Sequence, residues 1–179
     1  MEVAIFGGGC FWCTEATFKI LKGVSSVVPG YAGGSAEKPT YESVSSGKTG
    51  HAEVIRIEFD PAKISYHDLL TVFFATHDPT TMNKQGADVG TQYRSVVLYT
   101  NEEQKIEAQK FVNELKHEGV AVVTELVPLE QFTEAEEYHH DYFTKNKGAA
   151  YCQIVIAPKV EKLQKRFAEL IEEAYKKND

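Results

Sequence analysis

The run Val3-Ala4-Ile5-Phe6-Gly7-Gly8-Gly9-Cys10-Phe11-Trp12-Cys13 limits what this chain can become more than any other stretch. Four consecutive apolar residues read as a central strand buried on both faces. The glycines after them permit a tight turn and a close approach of backbone to a ligand. An amphipathic stretch follows, with Phe18 and Leu21 on one side, and predicts a helix over about Phe11–Leu21. Cys10 then stands at the helix N-terminus, where unpaired N–H groups and the helix dipole favour a thiolate, the reactive form of cysteine. Two readings are open. One is a nucleophile beside an apolar pocket; the other is a structural cysteine buried in a tight turn.

The pattern continues with recognisable elements. Val24–Tyr31 reads as extended and ends in Gly30-Tyr31-Ala32-Gly33-Gly34. Glu53–Phe59 alternates, with Ile55, Ile57 and Phe59 on one face and Arg56 and Glu58 on the other, as in a strand with one wet face. Ser65-Tyr66-His67-Asp68 resembles a capping box, and Tyr66, Leu69, Leu70 and Phe73 carry the helical period after it. Ser95–Tyr99 predicts a further buried strand. Thr100-Asn101-Glu102-Glu103 forms a second capping box, whose helix has Ala108, Phe111, Val112 and Leu115 as its stripe and Gly119 just past its end. Beyond it the chain predicts a strand over Val120–Val127, a helix over 133–144, a short apolar run Cys152–Ile156, and a last helix from near Pro158 that includes Phe167, Leu170, Ile171 and Ala174.

The first six elements run strand–helix–strand–strand–helix–strand. That order predicts an α+β fold with a ferredoxin-like split βαβ core and C-terminal extensions. A length of 179 residues suits one domain spanning 1–179. Two long polar loops, about 33–50 and 77–94, are unusual inside a compact domain and point to function. The net charge of −7 argues against nucleic-acid or anionic-membrane binding. The basic residues of the tail (Lys159, Lys162, Lys165, Arg166, Lys176, Lys177) alternate with Glu and read as a solvated helix face. No apolar segment is long enough to span a bilayer, and no signal-peptide pattern opens the chain. Three cysteines make no complete disulfide framework, so a reducing, cytoplasmic setting is expected and catalytic or metal roles for the thiols gain weight.

Several constellations compete for the chemistry. Gly47-Lys48-Thr49 looks like the end of a phosphate-binding loop, but position 42 holds Glu where a Gly is needed, so that reading is rejected. Cys10 and Cys13 form C-x-x-C at a helix start, which fits a redox pair, half of a zinc site completed by Cys152 and a His, or simple core packing by Cys13. His51 and Glu53 point to one strand face, and a carboxylate at the end of an otherwise apolar face is desolvated and keeps its proton. An exposed rim position is the bland alternative. His139 and His140 are neighbours on a predicted helix and do not chelate together. Tyr31, Tyr41 and Tyr93 lie in or beside the long loops.

Together these segments resemble the peptide methionine sulfoxide reductase A family. The matching pieces are Gly8-Gly9-Cys10-Phe11-Trp12, Gly30-Tyr31-Ala32-Gly33-Gly34, Pro39-Thr40-Tyr41, Thr49-Gly50-His51-Ala52-Glu53, His77-Asp78-Pro79-Thr80, Gln85 through Ser95, and Ala135-Glu136-Glu137-Tyr138-His139, in the family's order over about residues 3–157. The resemblance implies that Cys10 is the nucleophile and that Glu53 is the acid that protonates the sulfoxide oxygen. It makes Tyr41 and Tyr93 the hydroxyls that hold that oxygen, and Phe11 and Trp12 the walls of an S-methyl pocket. It also implies that Asp88 helps hold substrate and water, and that His139 is structural support. The implied reaction reduces the S-sulfoxide of methionine, free or in oxidised proteins, through a sulfenic acid and an intramolecular disulfide that thioredoxin recycles. It needs no metal or organic cofactor, and the protein is expected as a monomer.

The chain departs from the common family pattern at Cys13, where Gly often follows Phe-Trp, and the resolving thiol is then ambiguous. Cys13 lies one helical turn from Cys10, but a bond between them needs helix distortion. Cys152 follows a flexible Gly148-Ala149-Ala150-Tyr151 lead, and relatives often resolve from this region. The sequence favours Cys152, with Cys13 as relay or substitute. The alternative activity is a general C-x-x-C dithiol–disulfide oxidoreductase, and a non-enzymatic zinc module is the other class.

Overall fold

The computed structural model describes residues 1–176, and Lys177 lies outside them. The apolar run near the start forms β1 (Glu2–Gly8), followed by α1 (Phe11–Phe18) and β2 (Val24–Ala32). The first long loop carries a short helix, α2 (Tyr41–Ser45), and leads into β3 (Ala52–Phe59) and α3 (Tyr66–Thr76). The second long loop contains a small hairpin of β4 (Lys84–Gln85) and β5 (Asp88–Val89) and a 3₁₀ turn at Thr91–Tyr93. Then come β6 (Ser95–Tyr99), α4 (Glu102–His117), β7 (Glu125–Pro128) and β8 (Phe132–Glu134). The last elements are α5 (Tyr142–Lys145), a π-helical turn Cys152–Ile156 and α6 (Ala157–Arg166). With α2 and the β4–β5 hairpin set apart as elements of the two long loops, the first six main elements run strand–helix–strand–strand–helix–strand.

A six-stranded sheet runs in the order β7-β6-β1-β3-β2-β8. Its pairs are antiparallel except β6 with β7. The apolar run of β1 is central, as a strand buried on both faces should be. Ala4 and Phe6 point into the main core with Ile55, Ile57 and Phe59, while Ile5 joins a second, smaller cluster with Ala52, Val54, Val96 and Leu98. The face of β3 expected to be wet is therefore wet only at Arg56 and Glu58, because Phe132 and Leu129 cover its beginning. Aromatic rings knit α1 and α3 to the sheet, with Phe6 stacked on Phe73 at 4.8 Å.

Several boundaries differ from the sequence expectation for identifiable reasons. Helix α1 stops at Phe18 rather than Leu21, because Leu21 bridges to Ile171 and Gly23 turns the chain at φ +83°. Ser65 caps α3 in the predicted box with Asp68. The next cap falls on Asn101 rather than Thr100: the Asn101 side chain accepts from Gln104 N, and Thr100 N instead donates to the Gln104 side chain. The strand expected over Val120–Val127 shortens to Glu125–Pro128. The helix expected over 133–144 does not form. Phe132–Glu134 pairs with β2, Glu137–His139 is one 3₁₀ turn, and Asp141 adopts a left-handed φ of 55° before α5. The last helix ends at Arg166, so Phe167, Leu170 and Ile171 lie beyond it.

Candidate active site

Cys10 is the N-cap of α1, half-buried, with its carbonyl accepting from Cys13 N at 3.1 Å. The turn that puts it there depends on Gly9. Its φ is +96°, and an added Cβ would sit 2.7 Å from the Gln85 side chain. Glu53 begins the core-facing set of β3 and is 2% exposed. Its Oε2 accepts from Phe11 N at 3.1 Å. Burial is the main force on this carboxyl and pushes its pKa up to about 8, with the charges of Asp88 and Cys13 adding and the Phe11 N–H opposing. The acid is therefore neutral and holds a proton at pH 7. The desolvated reading of Glu53 is the one the geometry gives, not the exposed rim.

Cys10 departs from expectation. Its pKa is raised, first by the hydrogen bond to Cys13, then by burial and the charges of Glu53 and Cys13; only the Trp12 backbone pulls it down. Cys13 moves the other way, down to about 7, through the Cys10 hydrogen bond, Lys159 and the Tyr151 hydroxyl, against burial and Asp88. Within this pair the negative charge is thus favoured on Cys13 rather than on Cys10. Cys152 is fully buried in the π-helical turn, and burial and the Cys13 charge push its thiol up.

Two tyrosine hydroxyls complete the centre. Tyr41 from α2 and Tyr93 from the 3₁₀ turn both have pKa values raised by burial first and then by Glu53, with Cys10 also acting on each. Both therefore remain neutral donors. Asp88 on β5 accepts from the Tyr151 hydroxyl at 3.0 Å, and that same hydroxyl lies 3.6 Å from Cys13 Sγ. Asp88 is thereby tied to the cysteine pair through Tyr151, a residue that sequence reasoning passed over as part of a flexible lead.

The aromatic wall is built in two depths. Phe11 is fully buried against His139 (ring centroids 5.0 Å apart) and Tyr31 (5.7 Å), so this expected wall residue has no face open to a ligand. Trp12 is half-buried, stacks on Tyr142 at 3.6 Å with planes 5° apart, and donates from Nε1 to His139 Nδ1 at 3.0 Å. Neutral His139 then carries its proton on Nε2, a buried atom that has no hydrogen-bond partner among the described residues. The ring also lies 4.6 Å from Tyr41. It comes from a turn rather than the expected helix.

Two positioning residues, Glu136 and Arg94, carried no signal of their own in the sequence, and His51 was marked there only for sharing a strand face with Glu53. Glu136 accepts from Tyr31 OH at 3.0 Å and from Tyr41 N at 3.1 Å, fixing the start of α2. Arg94 donates to Gly33 O, Gly50 O and Thr91 O, stapling both long loops together. His51 accepts from Gly34 N and bonds Ala36 O through Nε2, closing the first loop. Glu136 and Arg94 lie within quoted motif segments, but only the fold shows what they hold. Among the described residues no three His, Cys, Asp or Glu side chains converge as metal ligands, and no helix is long and apolar enough to cross a membrane.

Known proteins share this arrangement of chain. Residues 2–171 match the peptide methionine sulfoxide reductase family. The peptide methionine sulfoxide reductase MsrA of Sulfolobus acidocaldarius is 58% identical over 93% of this chain and 96% of its own. Mxr1 of Saccharomyces cerevisiae in reduced form superposes with a TM-score of 0.79 at 33% identity, covering 84% of this chain and 88% of that one. Mxr1 in complex with Trx2 superposes with a TM-score of 0.57 at 24% identity, covering 79% and 84%.

Proposed function

The chain belongs to the peptide methionine sulfoxide reductase family, and from that premise we propose that it reduces the S-sulfoxide of methionine, free or in oxidised proteins, with Cys10 as nucleophile and Glu53 as acid. The observation that carries the assignment is the protonated, buried Glu53 held against the backbone N–H that follows Cys10. A sulfoxide sulfur is a poor electrophile until its oxygen is protonated or strongly hydrogen-bonded. Glu53 gives that oxygen its proton while the Tyr41 and Tyr93 hydroxyls hold it, and these contacts strengthen as negative charge gathers there. As the Cys10 sulfur attacks, its proton passes to the Cys13 thiolate. The methionine S–O bond breaks, the hydroxyl ends on Cys10 as a sulfenic acid, and methionine leaves. Trp12 admits the methyl group, and Asp88 orients the polar side.

Resolution releases water. Sequence reasoning favours Cys152 as the first resolving thiol. The hydrogen bond between Cys10 and Cys13 and the full burial of Cys152 make Cys13 better placed. We propose that Cys13 closes the first disulfide and that Cys152 exchanges into it, freeing Cys10. A protein dithiol of the thioredoxin class then takes the disulfide and is itself oxidised. The likeness to Mxr1, which has been solved with Trx2, supports this partner. We place the protein as a cytoplasmic monomer. The order β6-β1-β3-β2 with α1 and α3 as crossovers supports the ferredoxin-like description of its core.

Two measurements check these readings. Peptide methionine sulfoxide resolved by epimer is expected to be consumed as S and left as R; equal rates on both would rule out the arrangement of one acid, two hydroxyls and one methyl pocket. After one equivalent of substrate, peptide mass mapping is expected to find a Cys10–Cys13 bond in Cys152→Ser and slowed disulfide formation in Cys13→Ser. A Cys10–Cys152 bond forming at full rate in Cys13→Ser would restore Cys152 as the first partner. The low pKa of Cys13 also favours the second reading, general dithiol exchange. Reduction of insulin that survives Glu53→Gln would select it.

A further inference from the structure

Helix α6 is a cationic island on an acidic protein. It carries Lys159, Lys162, Lys165 and Arg166 against Glu161, in a chain of net charge −7. Lys162, Lys165 and Arg166 are exposed. Between α6 and the end of α3 lies a cleft of about 430 Å³, with Lys159, Lys162 and Arg166 on its rim and Leu163, Phe167 and Ala75 as an apolar floor. Among the described residues Asp78 is the one carboxylate that lines it, and Thr80 donates to that group. At the inner end stand His77 and Gln85. Those two side chains pack on Gly8 and Gly9, the residues just before Cys10.

The groove is also connected to the other thiols. Cys152 lies in the helical turn that runs directly into α6. The charge of Lys159 reaches Cys13 and stabilises its thiolate. A disulfide among these cysteines is therefore formed beside a surface whose sign is opposite to that of the rest of the molecule. An acidic partner is repelled elsewhere and guided here, and such complementarity acts mainly on encounter rate and orientation.

We propose that this groove docks the protein dithiol that recycles the enzyme, and that the docking face of that reductant is acidic around an apolar centre. The proposal rests on the recycling step described above. The apolar floor takes the centre of the contact, and the lysine and arginine rim meets the carboxylates around it. One reductant thiolate attacks the disulfide to give a mixed disulfide, and its second thiol then displaces the enzyme. Two electrons and two protons pass to the enzyme's cysteines, and the reductant leaves as a disulfide.

The test uses the full chain at saturating sulfoxide peptide, with either a net-negative thioredoxin or dithiothreitol as reductant. The variants are Lys162→Glu with Arg166→Glu, and the milder Lys162→Gln, all at exposed positions outside the catalytic centre. The expected result is a rise of about tenfold or more in KM for thioredoxin in the double variant, with dithiothreitol-supported kcat unchanged. Added salt is expected to raise the wild-type KM for thioredoxin and to have much less effect on the variant. An unchanged thioredoxin KM, or an equal loss with both reductants, would overturn the docking site. Wild-type turnover with dithiothreitol but none with thioredoxin would overturn the partner, and no turnover with either would overturn the sulfoxide reductase reading itself.

Discussion

Replacing Cys10 with serine is expected to bring methionine sulfoxide reduction down to background. A serine hydroxyl is not ionised in this setting and is a weak nucleophile toward sulfur, and the product it would need, a sulfenic acid, does not exist for oxygen. Cys13 does not take over, because it stands at the third helical position while Glu53 is held at the first, against Phe11 N. The check is methionine release together with trapping of sulfenic acid by a cyclic 1,3-dione, which should label wild type and leave Cys10→Ser unlabelled. Cys10→Ala, which removes the donor that serine would keep, should make Cys13 harder to ionise, since the Cys10 hydrogen bond is the largest influence lowering its pKa. Alkylation of Cys13 as a function of pH reads that directly. Sulfoxide turnover that persisted in Cys10→Ser would move the nucleophile to Cys13.

Glu53→Gln is expected to cost about 10²–10⁴ in rate, the usual scale for losing a general acid. Glutamine keeps the shape and can still accept from Phe11 N, so the loss isolates the proton. The pH profile supplies the sign. The protonated form does the work, its pKa is raised to about 8, and activity should therefore hold below that value and fall as pH rises through it. In Glu53→Gln that alkaline limb should disappear while the low rate remains. A variant with full activity at neutral pH would show that sulfoxide protonation comes from elsewhere.

The parts of this molecule legible in the sequence are those decided locally or by strict period. The β1–glycine–α1 unit is read from consecutive residues, and the Ser65 cap from a box whose partners are three residues apart. The parity of Glu53 with Ile55 and Ile57 placed it on the apolar face, and the structure decides between the buried and the rim position. What escaped depends on contacts between distant segments. A helix was expected over 133–144, yet pairing of Phe132–Glu134 with β2 and the acceptors of Glu136 hold its beginning as an edge strand and a turn. The helix N-terminus at Cys10 and its C-x-x-C partner Cys13 were visible, but the direction of the charge between them was not. Which member of a hydrogen-bonded pair carries the charge depends on Lys159 and Tyr151, both remote in sequence. Arg94 likewise serves carbonyls from two loops that no single window contains.

Trp12, set between the two paired cysteines, is the chain's sole indole. Its ring is stacked face to face on Tyr142, meets Tyr151 edge-on, and donates to His139. The protein thus contains a built-in optical probe at its reaction centre. Emission excited at wavelengths beyond tyrosine absorption comes from one place, and sulfur oxidation there alters the neighbours on which its brightness depends. Stopped-flow recording of that single emitter should follow sulfenic acid formation, disulfide closure and re-reduction as successive phases in one trace, without a dye or a coupled assay.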